Sequence, residues 1–445
     1  MMLTAPTTIA TLLRRPAAIF GGGRSGLAVR ELLQRVGAES VLYDERGADG
    51  ASTSFDREAA ARHALVVFSP GFSPRHEWLA TAKSMGAVCL GEIDFASLFW
   101  KGKIVAVTGT NGKTTLTEFL THALTLNGEF AKATGNIGYP LSRLVLDLDL
   151  QAARTTAVCE VSSFQAETMR HFRADATLWT NFAEDHLERH DGLDDYFAAK
   201  WVLVEHTQPG AVFLGDSAQE YAMHFGRASS AQSHVATQGL ADDAGLRGTV
   251  FERYPQRENF ELVRAWWTRS GRREECLYAA AQSFHLGRHR LALVRTIAGV
   301  GYWNDSKATN FHAVEAALAR FDSPVVLIAG GKGKGGDLGG FVSRIAPRVK
   351  FAALIGETSR ELAGHCAQAG LAHACCASLD EAVQAASSQA TVGGHVLLSP
   401  GFASFDMFNG YDHRGEIFEQ LVRKLADNAD RHASIFEQRP QCTQP

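Results

Sequence analysis

The chain has 445 residues, 45% of them hydrophobic and 21% charged. This balance excludes a mainly disordered or fibrous protein, and the length predicts about three domains. The formal net charge of −4 at pH 7 argues against bulk binding of nucleic acid. Any anionic ligand would therefore be held by local basic groups and backbone amides.

The cysteines and the apolar runs indicate in which cellular compartment we expect the protein. The seven cysteines form no C-x-x-C pair and show no zinc-site spacing, so we expect free thiols in a reducing compartment. The N-terminal stretch lacks the pattern of a signal peptide. The sequence contains no run of about 18 apolar residues, so we expect no membrane span. These features predict a cytoplasmic protein.

The first strand-turn-helix pattern begins with the apolar run Ala17–Phe20 and continues into a glycine turn. The turn has the spacing Gly21-x-Gly23-x-x-Gly26, and Asp44 follows the next predicted strand. This is a dinucleotide-type fingerprint. It is compatible with NAD, with another nucleotide diphosphate, or with a tight turn that binds nothing. We predict half of a doubly wound fold, and the missing second half counts against NAD.

The second pattern carries the strongest local signal. The predicted strand Ile104–Val107 leads into Thr108–Thr115, with an apolar-faced helix after it. Small residues let the backbone wrap around a phosphate at a helix N-terminus. Lys113 can reach the β- and γ-phosphates, and the Thr114 hydroxyl can ligate Mg²⁺. The alternative is a glycine turn with a surface lysine, because Val107 stands where the first P-loop glycine is expected.

Three titratable residues follow in the same segment. Glu160 ends a predicted strand, which is typical of either a Mg²⁺ ligand or a solvated strand end. His186 closes the polar stretch Thr180–His186 and is either a metal ligand or merely hydrogen-bonded. Lys200 lies on a helix-like segment, and its surroundings in the sequence indicate only a solvated lysine.

The third pattern has polar or glycine-rich loops after its predicted strands. The loop Asn304–Asn310 is either a ligand-contacting loop or an extended cap. The loop Gly330–Gly336 is either a flexible turn or an anion grip, and Ser399–Ser404 repeats the same design. The β-turn-α order throughout predicts an α/β protein with mostly parallel sheets covered by helices.

Taken in order, these motifs resemble those of the Mur ligase family of cell-wall amide ligases. The motifs that carry the resemblance span nearly the whole chain: Thr108–Thr115, Gly135–Gly138, Glu160–Gln165, Thr180–His186 with Lys200, His289–Leu291, Asn304–Asn310, Gly330–Lys334 and Leu397–Ser404. The resemblance implies a Rossmann-like N-terminal half-fold that binds a UDP-substrate (residues 1–98). It further implies a central P-loop ATPase domain (99–286) and a Rossmann-like amino-acid-binding domain (287–445).

Within the family the match is closest to the members that add glutamate, with D configuration expected, to the alanine carboxylate of UDP-N-acetylmuramoyl-L-alanine. The implied reaction passes through an acyl phosphate and uses ATP, two Mg²⁺ ions and a carbamate on Lys200. The expected partners are these small molecules alone, and the expected state is a monomer. A sister Mur ligase or a folylpolyglutamate synthetase-like ligase is the nearest alternative. An NAD-dependent oxidoreductase and a nucleotide-binding regulatory module are the rivals from other classes.

The resemblance also implies site residues. Those assigned to ATP are Gly109, Thr110, Asn111, Gly112, Lys113, Thr114, Thr115, Asn259, Arg290 and Asp305. Those assigned to the UDP-substrate are Gly23, Arg24, Ser25, Gly26, Asp44, Ser69, Pro70, Gly71, Asn136 and Ser162. Those assigned to the amino acid are Lys307, Thr309, Lys334, Ser404 and Tyr411. The metal ligands would be Thr114, Glu160, His186 and Lys200, and the catalytic set Lys113, Lys200, His186 and Asn136.

Two positions depart from the family pattern. The stretch Gln256–Leu262 keeps only Asn259 of the G-x-H-N-x-x-N motif that helps to bind adenine. Tyr411 follows Asn409-Gly410, where phenylalanine is expected near the amino-acid site. The diaminopimelate-selecting motif of a sister ligase is absent from the sequence, which favours glutamate.

Overall fold

The structure is a computed structural model that describes residues 3–437, without the side chains of 149, 150 and 426–437. The six cysteines with described side chains are free thiols, as predicted, and Cys442 lies outside the described residues. None of the helices in this part of the chain combines the length and apolar character needed to cross a bilayer.

The first sheet has four parallel strands in the order β2-β1-β3-β4. Its strands are β1 (Ala17–Phe20), β2 (Ser40–Tyr43), β3 (Leu65–Phe68) and β4 (Val88–Gly91). The accompanying helices are α1 (Thr7–Ala10), α2 (Arg24–Arg35), α3 (Arg57–Ala61), α4 (Glu77–Ser84) and α5 (Glu92–Ser97). Every residue of β1 and β3 is buried, as expected of parallel strands covered on both faces.

The second sheet has six parallel strands in the order β10-β9-β8-β5-β7-β6. Its strands are β5 (Lys103–Thr108), β6 (Ala131–Gly135), β7 (Thr156–Glu160), β8 (Ala176–Trp179), β9 (Val212–Leu214) and β10 (Gln232–His234). Its helices are α6 (Lys113–Leu126), α7 (Leu141–Leu148), α8 (Ser163–Ala166), α9 (Leu193–Glu205), α10 (Asp216–His224), α11 (Gln256–Arg269) and α12 (Glu274–Ser283). The central strand β5 leads into the glycine loop, so that loop lies at the middle of the carboxyl edge.

The third sheet has six strands in the order β11-β12-β16-β13-β14-β15. They are β11 (Ala292–Ile297), β12 (Val300–Asn304), β13 (Val325–Gly330), β14 (Val349–Ile355), β15 (His373–Cys375) and β16 (His395–Leu398). Its helices are α13 (Phe311–Leu318), α14 (Leu338–Ile345), α15 (Ser359–Gln368), α16 (Leu379–Gln389) and α17 (Tyr411–Glu437). Strand β11 is antiparallel to β12, and the other neighbours are parallel.

The chain divides into two compact units. The first comprises the chain to Ala183 together with Arg189–Glu252 and Gln256–Phe284, and the second comprises Glu184–Glu188, Arg253–Pro255 and the chain from His285. Within the first unit one hydrophobic core draws residues from both sheets, such as Ile19 and Ile104. The boundary predicted after residue 98 falls inside this unit, and the assignment of three domains stays a prediction.

The strands predicted from the sequence form, and the fold class is the predicted α/β arrangement with mostly parallel sheets. The prediction for the last helix is wrong: the sequence predicts it over about Glu416–Asn428 with a polar tail from Arg431, but α17 runs from Tyr411 to Glu437. Its start is not evident from the sequence, because Arg414 and other polar residues of the first turn interrupt the apolar period.

Candidate active site

The loop between β5 and α6 is shaped by two glycines. Gly109 and Gly112 have φ angles of 143° and 82°, a region that favours glycine. A Cβ added at Gly112 would lie 2.7 Å from Asn259 Oδ1. Lys113 begins α6 and its Nζ donates to the carbonyl oxygens of Gly109 (2.9 Å) and Thr110 (2.7 Å). The ammonium group therefore lies over the loop, where the helix N-terminus also favours anions.

The polar segment after β8 holds this loop in place. Asn111 N–H donates to Asn181 Oδ1 at 2.9 Å, and Thr180 Oγ1 donates to Asn111 O at 2.6 Å. Thr110 Oγ1 lies 3.1 Å from Ala183 O. The polar residues noted in Thr180–His186 thus include a brace for the phosphate loop, and Asn181 is a site residue that the sequence reasoning did not assign.

Glu160 ends β7 between the loop-bearing strand and β6. It pairs in register with Val107 on one side and Gly135 on the other. Its side chain is 2% exposed, so the alternative of a solvated strand end is wrong. Asn136 Nδ2 donates to Oε1 at 2.9 Å, whereas Oε2 is buried and has no hydrogen-bond partner among the described residues.

An unpartnered buried carboxylate oxygen beside a phosphate loop suits a hard divalent cation. Thr114, the second residue of α6, supplies the hydroxyl that the P-loop pattern places on such an ion. The described residues contain no group of three or more His, Cys, Asp or Glu arranged as a metal site. The donor set offered here is instead one carboxylate with a hydroxyl, which suits Mg²⁺ bound partly through substrate phosphates.

Lys200 is buried against the same loop. Its side chain is 1% exposed, so the interpretation as a solvated lysine is wrong. Its Nζ donates to Gly109 O at 2.8 Å and lies 3.5 Å from Thr108 Oγ1. The ring of Tyr196 lies 4.9 Å away, at cation–π distance. Helix α9 therefore presents Lys200 to the strand end that starts the phosphate loop.

Ser162 and His190 complete this region of the first unit. Ser162 caps α8, and its hydroxyl takes part in a capping box with Gln165. His190 is buried, with Nε2 3.1 Å from Ser163 Oγ and Nδ1 3.2 Å from Asp195 Oδ2. Burial lowers the pKa of His190. This histidine was not singled out from the sequence, and it holds the segment that follows Glu160.

The predicted adenine contact Asn259 lies on α11, is 3% exposed and faces the loop at Gly112. Its neighbour Glu258 is also buried, and desolvation raises the pKa of that carboxyl to about 7. Thr115, another residue assigned to ATP, is 2% exposed at the first turn of α6. Asn259 is thus the residue of its stretch that the fold places beside the loop glycine.

The glycine turn of the first sheet is tightly built. Gly22 N–H donates to Asp44 Oδ2 at 2.6 Å, and a Cβ at Gly26 would overlap the carbonyl oxygen of Gly21. Ser69 Oγ is buried without a partner among the described residues, next to Gly21. Gly23, Arg24 and Gly71 are exposed, while Ser25 and Pro70 are half-buried. The Asp44 carboxylate therefore caps the turn, and the buried Ser69 hydroxyl lies beside the turn.

In the second unit Asp305 begins the loop after β12. Its Oδ2 accepts from Ser399 Oγ at 2.9 Å, and its Oδ1 accepts from the Leu291 amide at 3.0 Å. Burial raises the pKa of Asp305 to about 7, and Arg290 opposes that rise. His289 and Leu291 have φ angles of 63° and 50°, so a strained turn is held against this carboxyl.

A shallow cleft, open to solvent, lies wholly within the second unit. Its lining includes His186, Thr309, Asn310, Lys334 and Gly401. It brings together two residues predicted for the amino acid, Thr309 and Lys334, with the predicted metal ligand His186. Three residues of the Gly330–Gly336 loop, Lys334, Gly335 and Gly336, therefore line this cleft.

Asp185 takes part in the same cleft, although it was not among the assigned residues. Its Oδ2 accepts from Asn310 Nδ2 at 2.9 Å, and its Oδ1 lies 3.7 Å from Lys334 Nζ. His186 has a φ of 57°, and its Nδ1 lies 3.3 Å from Glu188 Oε1. Its neighbours here are carboxylates. Of the four predicted metal ligands, His186 belongs to the second unit and the others to the first.

The other residues predicted for the amino acid lie near the start of α17 or in the loop after β16. Lys307 Nζ lies 3.7 Å from the centroid of the Tyr411 ring. Ser404 is 2% exposed, and its carbonyl oxygen accepts from the amides of Met407 and Phe408. The roles of these residues in binding the amino acid stay predictions.

Comparison with known proteins identifies two matched regions. The Mur ligase middle domain matches residues 107–277, and the Mur ligase glutamate ligase domain matches residues 289–402. Proteins named UDP-N-acetylmuramoylalanine–D-glutamate ligase are similar over most of the chain. The one from Desulfitobacterium hafniense (strain DSM 10664 / DCB-2) is 33% identical, covering 93% of this chain and 98% of its own. The one from Chloroherpeton thalassium is 34% identical, with coverages of 92% and 98%.

Solved structures share the fold at low sequence identity. The UDP-N-acetylmuramate–alanine ligase MurC of Thermotoga maritima superposes with a TM-score of 0.58 at 14% identity, covering 92% of this chain and 99% of its own. The MurF ligase of Thermotoga maritima in complex with ADP superposes with a TM-score of 0.57 at 16% identity, covering 81% of this chain and 96% of its own.

Proposed function

The chain belongs to the Mur ligase family of ATP-dependent peptidoglycan precursor ligases, and we propose that it joins D-glutamate to UDP-N-acetylmuramoyl-L-alanine. Its relatives of that activity match more than nine tenths of the chain, which supports this member of the family over a sister ligase. The proposed co-substrate is ATP, with Mg²⁺ as the metal.

One observation carries the proposal: the buried Glu160 carboxylate beside the phosphate loop, with Oε2 unpartnered among the described residues. A carboxylate desolvated in this way is costly unless a cation or a proton satisfies it. Asn136 fixes Oε1, so the other oxygen has a defined orientation. We assign Glu160 Oε2 and the Thr114 hydroxyl to one Mg²⁺ and carbamylated Lys200 to a second, and the role of His186 as a metal ligand stays a prediction.

The chemistry requires activation of a poor electrophile. The alanine carboxylate accepts the γ-phosphoryl group of ATP, which releases ADP and gives an acyl phosphate. The amine of glutamate then attacks the carbonyl carbon, and the amide forms as phosphate and a proton leave. When bound, the two magnesium ions offset the negative charge of the reacting phosphate and carboxylate oxygens. Lys113 exchanges its contacts with the Gly109 and Thr110 carbonyls for the β- and γ-phosphates. Asn259 and Asp305 are proposed to contact the nucleotide further from the reacting phosphate.

The other substrates are assigned to the remaining sites. The UDP part of the acid substrate is proposed to lie on the Gly21–Gly26 turn, near the unpartnered Ser69 hydroxyl. Asn136 and Ser162 orient its alanine end. Glutamate occupies the cleft of the second unit, where Lys334 offers a cation. Since three anions must meet, positioning and charge neutralisation supply most of the catalysis.

An oxygen-transfer experiment tests the proposed reaction. The acid substrate is labelled with ¹⁸O in both oxygens of its alanine carboxylate and incubated with ATP and D-glutamate. Mass spectrometry is expected to find one ¹⁸O in the released phosphate for each amide formed, because that oxygen bridges carbon and phosphorus in the acyl phosphate. Unlabelled phosphate accompanying amide formation would refute the acyl phosphate. A monomeric state and a cytoplasmic location remain predictions.

A further inference from the structure

Arg414 is a buried cation that the reaction described above does not use. It lies in the first turns of α17 and is 0% exposed. Its amide donates to Gly410 O at 3.1 Å, as in a regular helix. Burying a guanidinium away from water costs free energy unless its N–H groups find hydrogen-bond acceptors. The acceptors of Arg414 therefore indicate its structural role.

The guanidinium contacts two loops at neutral oxygens. Nε donates to Ser306 Oγ at 3.0 Å, and Nη2 donates to Ser306 O at 2.9 Å. Nη1 and Nη2 both donate to Phe402 O at 3.2 Å. One planar group therefore bridges the loop Asn304–Asn310, after β12, and the loop Ser399–Ser404, after β16.

Arginine suits this bridge because of its shape. Its planar fork carries five N–H donors in fixed directions, whereas a lysine offers one point charge on a flexible chain. Burial lowers the pKa of Arg414 to about 10, which still leaves the group protonated at neutral pH. Ser306 extends the bridge, because its Oγ donates to Tyr411 O at 2.7 Å. The start of α17 is thereby joined to both loops.

Both bridged loops supply the lining of the amino-acid cleft. Thr309 and Asn310 come from the first loop, and Gly401 and Phe402 come from the second. The Phe402 carbonyl that Arg414 holds belongs to a lining residue. The separation of the two walls of the cleft thus depends on a group that is not itself among the lining residues.

We propose that Arg414 is a positioning residue for the amino-acid substrate, fixing the separation of the loops Asn304–Asn310 and Ser399–Ser404 without touching glutamate. The inference rests on the proposed function for the identity of that substrate. It concerns the second unit alone, so the phosphate loop and the UDP turn do not depend on it.

Steady-state kinetics of the full-length enzyme tests this role with Arg414→Met, Arg414→Lys and a control, Arg423→Met. Arg423 lies on the same helix with a side chain 67% exposed. We expect Arg414→Met to raise KM for D-glutamate at least tenfold, while KM for the acid substrate changes less than twofold. KM for ATP should rise less than KM for glutamate, because only its proposed contact Asp305 lies in a bridged loop. Arg414→Lys should recover part of the loss, and Arg423→Met should behave as wild type.

Several results would overturn the proposal. One is an unchanged KM for glutamate in folded Arg414→Met; another is an equal rise in all three KM values, which a general structural defect would cause. If Arg414→Met does not fold, Ser306→Ala decides, because it removes the acceptor of Nε and the hydroxyl bond to Tyr411 O but leaves the contacts of Arg414 with the Ser306 and Phe402 carbonyls in place. It should raise KM for glutamate about threefold, and no rise would refute the bridge.

A measurement independent of activity separates this inference from the proposed function. Hydrogen exchange of wild type and Arg414→Lys, followed by mass spectrometry, should show faster exchange in the two bridged loops and no change in Gly109–Lys113. If the two bridged loops exchange at the same rate in Arg414→Lys as in wild type, the positioning role of Arg414 is overturned. A wild type that makes no glutamate-dependent ADP would instead refute the proposed function, while the exchange result would still stand.

Discussion

The ammonium group of Lys200 donates to the carbonyl oxygen of Gly109 at 2.8 Å, from a side chain that is 1% exposed. The same oxygen accepts from Lys113 at 2.9 Å. Two lysines from different helices thus converge on the first glycine of the phosphate loop. Lys200 is positioned either to brace this loop or, as a carbamate, to turn a negative charge toward it.

Replacing Lys200 distinguishes these two roles. We expect Lys200→Ala to lose most activity and to regain part of it with added acetate or another short carboxylic acid, because the acid can replace the carbamate oxygens. The measurement is ADP release at several acid concentrations, with the exposed Lys132→Ala as control. A loss that no carboxylic acid reverses would favour the brace, and full activity would remove Lys200 from the mechanism.

The metal assignment predicts a specific effect at Glu160. Glu160→Gln keeps the shape of the side chain but removes its charge and replaces one carboxylate oxygen with an amide nitrogen, which does not ligate a cation. We expect the affinity for Mn²⁺, a spectroscopic substitute for Mg²⁺, to fall at least tenfold in the presence of ATP. Electron paramagnetic resonance of free Mn²⁺ measures this. Unchanged affinity, with the exposed Glu220→Gln as reference, would contradict the assignment.

Two glycines of the UDP turn should respond differently to the same substitution. A Cβ at Gly26 would overlap the Gly21 carbonyl, whereas at Gly23 nothing lies within 4 Å. We expect Gly26→Ala to lower the free energy of unfolding by about 2–4 kcal/mol through backbone displacement and to raise KM for the acid substrate. Gly23→Ala should leave stability within about 0.5 kcal/mol. Equal stability of the two variants in urea unfolding would contradict the geometry.

The buried carboxyl of Asp305 should make stability depend on pH. Its folded-state pKa is about 7, against about 3.9 in an unfolded chain. Between these values the folded protein holds the extra proton, so its free energy of unfolding falls as the pH rises from about 4 to about 7. Asp305→Asn removes this loss, which amounts to about 4 kcal/mol at most.

The measurement compares wild type with Asp305→Asn in urea unfolding at pH 5 and pH 8. The free energy of unfolding of Asp305→Asn, relative to that of wild type, should be higher at pH 8 than at pH 5. The amide of the variant can still accept from the Leu291 N–H and can donate to the Ser399 hydroxyl, the two groups that the carboxyl contacts. The comparison therefore isolates the charge. A difference independent of pH would show that Asp305 titrates near its ordinary pKa.

The sequence predicts the elements that carry short-range signals. The phosphate loop can be predicted because a strand, glycines, lysine and threonine must occur in that order for an anion to bind a helix N-terminus. Parallel strands such as Val325–Gly330 are recognisable as continuous apolar runs. Glu160 is recognisable as a strand-end carboxylate, but its burial and its unpartnered oxygen depend on β5 and β6 packing on either side.

Long-range contacts account for what the sequence does not predict. The local sequence alone predicts a solvated Lys200, because nothing near it shows that α9 packs its side chain against Gly109; only the family resemblance implies that it belongs to the site. Arg414 lies in a polar first turn, and its partners Ser306 and Phe402 come from two other loops of the chain. Asp185 stands next to the predicted ligand His186, yet only the folded second unit places it beside Lys334. Each of these roles follows from tertiary packing.

The most direct test of the central claim is a coupled assay of ADP formation with purified enzyme, ATP and Mg²⁺. The acid substrate and the amino acid are supplied separately and together, using D- and L-glutamate and a folate acceptor. The proposed function predicts ADP only when UDP-N-acetylmuramoyl-L-alanine and D-glutamate are both present, in a one-to-one ratio to the amide product. ADP formed with the folate acceptor, or none with the two proposed substrates, would contradict it.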